Sequence, residues 1–217
     1  MRPPKPIRAV VFDWDGTLAD TAEATYRAYL RTFAEFGIPY DRAEYERTYS
    51  PDWYQTFRSV GLPQQRWADA DAKWLACFAE ESVALHSGTR EFLHALEGRR
   101  IIRAIVTSGG RDRISRELAA HGIDAHFAHV VCGDEVTRRK PDPEAMHLCL
   151  ERLGVSAGEA VYVGDSPEDV LMARAAGVFA VAVAGGYPNR GALAATGPDL
   201  FADDLAEAMS LLLDDDA

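Results

Sequence analysis

The chain has 217 residues, 47% hydrophobic and 26% charged, which suits one sizeable core or a core with a smaller inserted unit. Its formal net charge of −11 argues against nucleic acid and anionic membrane surfaces as partners, and no apolar run approaches the roughly 20 residues of a membrane helix. Cys77, Cys132 and Cys149 have no paired spacing, and neither CxxC nor HExxH occurs; reduced thiols in a cytoplasm are expected, and a zinc site is not.

The first element is IRAVVFD, residues 7–13, an apolar run with β-branched residues that reads as a buried strand ending in acid. The basic start before it, MRPPKP, leads into a run too short for a signal peptide. Asp13, Asp15 and Asp20 then fall within eight residues, in DWDGTLAD. Carboxylates placed together repel and are costly to desolvate unless something positive lies between them. A polar turn built on Asp and Gly is the plainer explanation of the same letters. Asp13 and Asp15, two apart on extended backbone, tend to project to the same side. Gly16 suits an unusual backbone conformation or a close approach, and Trp14 suits packing.

Residues 20–86 contain helical patterns over 20–36, 41–49, 52–60 and 64–84, punctuated by Gly37 and Gly61, and no strong strand run. Thirteen of the chain's 21 aromatic residues lie here, more than a connection between two strands requires. An inserted helical subdomain with its own core is expected, its aromatics, SPDWYQTF included, serving as core more than as a ligand platform. Arg27, Arg31, Arg42, Arg47, Arg58, Arg66 and Lys73 are possible anchors for the remote end of a substrate, most of them as solvated helix-face charges and one or two in the site.

From residue 89 the pattern alternates. Helices over 89–97, 111–120, 143–153 and 167–176 separate apolar runs at 100–110, 128–135, 159–169 and 178–186, and 199–213 reads as a short strand and a helix before the solvated end DDDA. Gly98, Gly122, Gly154 and Gly177 follow helical runs as left-handed stop residues, with Ile123, Val155 and Val178 as the apolar residues after three of them. Asp142 before Pro143, and Ser166 before Pro167, read as N-caps followed by proline in the first helical position. Alternating strands and helices predict right-handed βαβ units. The expected fold is α/β, a doubly wound Rossmann-like parallel sheet built from 1–19 and 87–217, with an α-helical cap inserted at 20–86.

In such sheets ligands bind beyond the carboxyl ends of the strands. Those ends carry Asp13 and Asp15; Thr107 and Ser108, followed by Gly109 and Gly110 at a helix start; and Asp165 in GDSPED, with Lys140 in RRKPDPE. Each has an ordinary explanation: a strand-end threonine, a surface lysine, a turn aspartate, and in Asp169 the acidic partner of a capping box with Ser166. Those explanations weaken jointly, because several ends of one sheet supply what is needed to hold a hard cation and a phosphate together.

DWDGTLAD, VTSG, RRKPDPE and GDSPED, in that order and spacing, resemble the four motifs of the haloacid dehalogenase-like hydrolase superfamily, and the resemblance spans the whole chain. The helical stretch is similar to the small cap of the phosphoglycolate phosphatase and β-phosphoglucomutase branch. The resemblance implies a Mg²⁺-dependent phosphatase of a small phosphorylated metabolite. Asp13 would be the nucleophile that becomes an aspartyl phosphate, and Asp15 the general acid and then the base. Thr107 and Lys140 would bind the phosphoryl group, with Ser108 standing where the family often has Asn. Mg²⁺ would be held by Asp13, the main-chain carbonyl of Asp15, and Asp165, with Asp169 as an outer or alternative ligand. A phosphomutase would share the aspartyl phosphate; the DGT triplet favours the phosphatase. A dehalogenase has no need of Asp15. A receiver-like signalling module would carry in Asp15 a base that destroys its own signal. The sequence assigns no oligomeric state.

Overall fold

Short apolar runs bounded by turn residues become strands because they can be buried on both faces only inside a parallel sheet. The computed structural model describes residues 3–213; the terminal DDDA lies outside the described residues. In chain order the elements are β1 (Ala9–Phe12), β2 (Ala19–Asp20), α1 (Ala22–Glu35), α2 (Arg42–Thr48), α3 (Trp53–Ser59), α4 (Trp67–Phe78), β3 (Ala84–Leu85), α5 (Thr89–Gly98) and β4 (Ile102–Val106). They continue with α6 (Arg111–His121), β5 (His129–Val131), α7 (Glu144–Leu153), β6 (Ala160–Gly164), α8 (Pro167–Ala175), β7 (Phe179–Val183), α9 (Arg190–Ala195), β8 (Leu200–Ala202) and α10 (Leu205–Leu213).

The main sheet has the order β5-β4-β1-β6-β7-β8 and every pairing in it is parallel. Phe12 pairs with Ile105 on one side and Val163 on the other. The strand ends are therefore level, and Asp13, Thr107 and Asp165 leave the sheet along one edge. The strand order reverses on either side of β1, the switch point at which α/β sheets form their ligand crevice. Period-two alternation splits β1 between two layers: Val10 and Phe12 face Phe92, Leu96 and Ile114, while Ala9 and Val11 face Met146, Cys149 and Met172. The expected doubly wound α/β sheet is present.

Helices α1–α4 enclose a separate aromatic cluster. Tyr29, Phe33, Tyr40, Tyr45 and Phe57 are buried together, with the Phe33 and Tyr40 rings 4.6 Å apart. The aromatics of 20–86 thus form a core. The stretch leaves and rejoins the sheet through the antiparallel pair β2–β3, Ala19 opposite Leu85 and Asp20 opposite Ala84.

Several boundaries differ from the sequence expectation. The last helix of 20–86 stops at Phe78 instead of continuing to 84, because Glu80–Ser82 offer no apolar face and Val83 and Leu85 pack on the main core. The left-handed residue after α5 is Arg100 (φ 58°), not Gly98: the helix runs through Gly98 and closes with Ile101 N–H donating to Leu96 O at 3.0 Å. Gly122, Gly154 and Gly177 are left-handed as expected, at φ 63°, 62° and 73°. Pro143, not Asp142, takes the N-cap position of α7, and Asp142 Oδ1 instead accepts from Glu144 N–H at 3.0 Å. Ser166 caps α8 with Pro167 at its first position, as read.

Candidate active site

Asp13 follows β1 directly and is 7% exposed. Lys140 Nζ donates to Asp13 Oδ1 at 2.7 Å, to Asp169 Oδ1 at 2.7 Å and to the Tyr162 hydroxyl at 2.6 Å. Its three hydrogens are all engaged, so the sequence-level alternative of a surface lysine does not hold. Asp169 serves two ends at once. Its Oδ2 accepts from Ser166 N–H (3.0 Å) and Oγ (2.8 Å) as a capping box, while Oδ1 accepts from Lys140 and from Tyr162 OH (2.9 Å). Asp165 follows β6, is 2% exposed, and accepts from Thr17 Oγ1 at 2.9 Å. Oxygens of Asp13, Asp165 and Asp169 lie within 4.8 Å of one another.

The electrostatics follow from burial. Desolvation is the main cause that pushes the Asp13 carboxyl up to about 7, with Lys140 opposing and Asp169 and Asp15 adding to it. Desolvation, then Asp13 and Asp169, hold Asp165 well above the usual carboxylate range. Burial alone would depress Lys140, but Asp13 and Asp169 outweigh it and keep the ammonium above its usual range. With all three carboxylates ionised, one ammonium would leave two negative charges in excess, which one divalent cation would cancel. The surroundings fit such an ion. A Cβ at Gly16 or at Gly185 would stand 2.3 Å from Asp165 Oδ2, so both glycines keep space open beside that oxygen. Gly16 also takes φ +80°, which favours glycine. An all-oxygen donor set of this kind suits a hard cation. Asp13 and Asp165 have the freer oxygens; those of Asp169 are taken up by protein donors.

Asp15 does not join the cluster. Its carboxylate turns to Arg113, whose Nη1 and Nη2 donate to Oδ1 at 2.9 Å and Oδ2 at 2.5 Å. Thr107 is buried at the end of β4, and its Oγ1 accepts from Gly109 N–H at 3.1 Å, which leaves its own hydrogen free to donate. Ser108 brings its backbone against Gly133, where a Cβ would meet Ser108 O at 2.3 Å. Trp14 packs in the core, as read, and its Nε1 also donates to Glu117 at 2.6 Å.

The helical stretch meets the site along two seams. The Tyr49 and Tyr187 rings stack at 4.8 Å, and the Tyr187 hydroxyl lies 2.9 Å from Thr21 Oγ1 and 3.0 Å from Thr25 Oγ1. On the other seam the Arg139 guanidinium lies 5.0 Å from the Trp53 ring centre, and that of Arg113 5.2 Å from Phe78. The seven cations proposed as anchors make their contacts elsewhere. Arg27, Arg31, Arg42, Arg47, Arg66 and Lys73 pair with Glu81, Glu80, Glu23, Glu44, Asp69 and Glu35, and Arg58 stacks on Trp67. The cations that do reach the seam, Arg113 and Arg139, come from the sheet side. Sequence reading missed Arg113, Tyr162, Thr17 and Tyr187. For Tyr162 a signal existed: a hydroxyl in the middle of an apolar strand needs a buried partner.

A family model for haloacid dehalogenase-like hydrolases matches residues 10–183. Pyrophosphatase PpaX of Bacillus velezensis is 32% identical over 213 residues, covering 95% of this chain and 97% of its own length. Phosphoglycolate phosphatase of Rhodospirillum rubrum is 33% identical, over 92% of this chain and 88% of its own. The crystal structure of CbbY from Rhodobacter sphaeroides in complex with phosphate is similar at a TM-score of 0.78 and 28% identity, with 95% of this chain and 99% of that one covered. With the family model spanning most of the chain and these motif residues gathered along one sheet edge, the chain belongs to the haloacid dehalogenase-like hydrolase family.

Proposed function

We propose that the protein is a Mg²⁺-dependent phosphatase that hydrolyses a small phosphorylated metabolite, of the phosphoglycolate kind, through an aspartyl phosphate on Asp13. The observation that carries this reading is the buried cluster in which Lys140 touches Asp13 while Asp165 and Asp169 converge on it. Bound Mg²⁺ would be held by Asp13, the Asp15 carbonyl and Asp165, and would supply positive charge to the phosphoryl oxygens. Asp13, at the end of β1, attacks phosphorus. Lys140, already beside the attacking carboxylate, exchanges its hydrogen bond to Asp13 for one to a phosphoryl oxygen, and Thr107 donates its free hydroxyl hydrogen to another. Ser108 lines the same turn. Asp169 holds Lys140 in place and serves the metal from outside its ligand set. Asp15 gives a proton to the leaving alcohol and then takes one from the water that cleaves the acyl phosphate. Residues 1–19 and 87–217 form the catalytic core; 20–86 is a cap that closes over the substrate and excludes water. The named activities of the relatives, on pyrophosphate and phosphoglycolate, agree with a compact anionic substrate. Among the described residues no helix is long and apolar enough to cross a membrane.

The test is a screen of small phosphorylated metabolites for phosphate release, with rapid-quench trapping of labelled protein. Many turnovers per chain, loss of turnover on chelation, and label on Asp13 are expected. Undiminished release after exhaustive chelation, or label on another residue, overturns the mechanism. Transfer of the group to a second hydroxyl with no free phosphate would make the enzyme a phosphomutase.

A further inference from the structure

Arg113 belongs to none of the motifs, yet several separated parts of the chain are arranged around it. One edge of its guanidinium grips both oxygens of Asp15, at 2.9 and 2.5 Å. Its Nη1 also donates to the two oxygens of Glu117, each at 3.3 Å. Glu117 in turn accepts from Trp14 Nε1 at 2.6 Å, and Trp14 is fully buried between Asp13 and Asp15 in sequence. The ring of contacts therefore closes on the segment it started from. Room for the guanidinium is made by Gly109, where a Cβ would come within 2.4 Å of Arg113 Nη2. Phe78 of α4 stands over it at 5.2 Å. The Arg113 side chain is 15% exposed and that of Asp15 28%.

A two-point contact between a planar guanidinium and a carboxylate fixes the carboxylate's plane as well as its position. A lysine in the same place would supply charge without fixing the plane. We infer that Arg113 is a positioning residue for Asp15: its fork sets the orientation and reach of the carboxylate that serves the leaving group and the water. The inference rests on the acid–base role proposed for Asp15. It accounts for why Asp15 stands apart from the Asp13–Asp165–Asp169 cluster, and it makes Glu117, Trp14 and Gly109 supports of the same carboxylate.

The test compares full-length Arg113→Met, Arg113→Lys, Asp15→Asn and the Arg113→Met/Asp15→Asn double variant. For each, the first-turnover rate of alcohol release is measured on a series of phosphate monoesters from alkyl to nitrophenyl, with the half-saturating concentration and the melting temperature. A misplaced acid costs on the order of 10²-fold in rate. Arg113→Met should therefore lose about 10–100-fold on alkyl esters, with half-saturation shifted less than about two-fold, and the loss should shrink towards nitrophenyl esters, which need little protonation. Arg113→Lys should recover only part of the rate. In the Asp15→Asn background Arg113→Met should cost nothing further, because the two act as one unit. Additive losses, losses equal across the ester series, or full rate in Arg113→Lys overturn the inference. If Arg113→Met does not fold, Arg113→Lys, which keeps the charge, decides by the same ester dependence. An Asp15→Asn variant with no preference for activated esters refutes the role of Asp15 itself. An Asp15→Asn variant that does favour activated esters, beside an unaffected Arg113→Met, refutes only the role of Arg113.

Discussion

The sheet edge and the helices of 20–86 treat charge in opposite ways. At the edge, carboxylates are buried and turned inward: Asp13 and Asp169 share one ammonium with Asp165 beside them, and Lys140 is 7% exposed at its side chain. In the helices the interior is aromatic, and the charges lie outside, paired with neighbours of the same stretch, as Arg27 is with Glu81 and Lys73 with Glu35. Exposed pairs of that kind contribute roughly 0–1 kcal/mol, whereas burying a charge costs several kcal/mol unless it is offset. Among the described residues, carboxylates are buried only beyond the ends of β1 and β6, where their charge destabilises the fold. The cost is concentrated where the proposed chemistry is, and the helical stretch is an ordinary packed unit with an aromatic interior.

The largest expected effect breaks the inward side of that contrast. Asp165→Asn removes one of the two carboxylates with oxygens left for a metal. Mg²⁺ affinity, read from the rise in melting temperature on titration, should fall by at least about 10–100-fold. Without metal the variant should melt no lower than the parent, because a neutral amide removes the burial cost, and with it the Asp13 and Asp169 repulsion, that hold Asp165 above the usual carboxylate range. Unchanged affinity would remove Asp165 from the ligand set. A large fall in the metal-free melting temperature would mean that the cluster is held together by its own hydrogen bonds and needs no cation.

A smaller effect sharpens the outward side. If the paired charges of 20–86 are only solvated helix faces, Arg42→Ala and Arg47→Ala should leave KM and kcat for the best substrate unchanged. Arg139 is different: it comes from the core, next to Lys140, and stacks on Trp53 at 5.0 Å. An exposed cation–π contact is worth about 0.5–1 kcal/mol, so Arg139→Ala should raise KM for an anionic metabolite by about 2–5-fold. Steady-state kinetics on the three variants decides. An equal rise in KM for Arg42→Ala would show that the outer charges also select the substrate.

What the sequence makes legible, and what it hides, divides along the same line. The parallel strands, their helices and the acids at their ends are local signals: apolar runs, glycine stops, and carboxylates where a strand finishes. Asp13, Lys140 and Asp165 could be singled out because motifs on different strands had to meet. Asp169 satisfies both of its readings, cap and cluster, since its two oxygens face different donors. Arg113 was not legible, because its partner Asp15 lies 98 residues away and an arginine in the first turn of a helix has no distinguishing pattern. Its one local clue is Glu117 at i+4, an ordinary helix pair. The pair β2–β3 was missed because two-residue strands show no periodicity. So was α9, in a Gly- and Pro-rich stretch where Asn189 Nδ2 donates to Asp165 O at 3.0 Å instead of capping the helix. The basic residues of 20–86 lie mostly in exposed pairs, as expected of helix-face charges, because a basic residue on a helix finds acids three or four residues away or on a neighbouring helix.

The smallest effect concerns how Lys140 is presented. The loop before it is pinned by Glu144, whose carboxylate accepts from Thr137 N–H at 2.9 Å, from Thr137 Oγ1 and from Arg138 N–H at 3.1 Å. These bonds, Thr137 N–H first and Thr137 Oγ1 next, hold the Glu144 carboxyl down to about 2 from an ordinary 4.5. In the unfolded chain the group binds its proton near the ordinary value, so between the two the unfolded state holds more protons than the folded one. The stabilisation is therefore complete above about pH 4.5 and is lost as the pH falls through about 2. Glu144→Gln loses the charge and turns an amide N–H₂ towards the loop's own donors. Its melting temperature should lie a few degrees below that of the parent near neutral pH, by a constant margin down to about pH 5, and the margin should close steadily below that as the parent protonates. Parallel melts from pH 7 to the lowest pH at which both proteins unfold cooperatively give the answer. A margin that stays constant to the acid end would mean that Glu144 supports the loop by shape and not by charge, and that Lys140 is held in reach of Asp13 by Asp169 and Tyr162 alone.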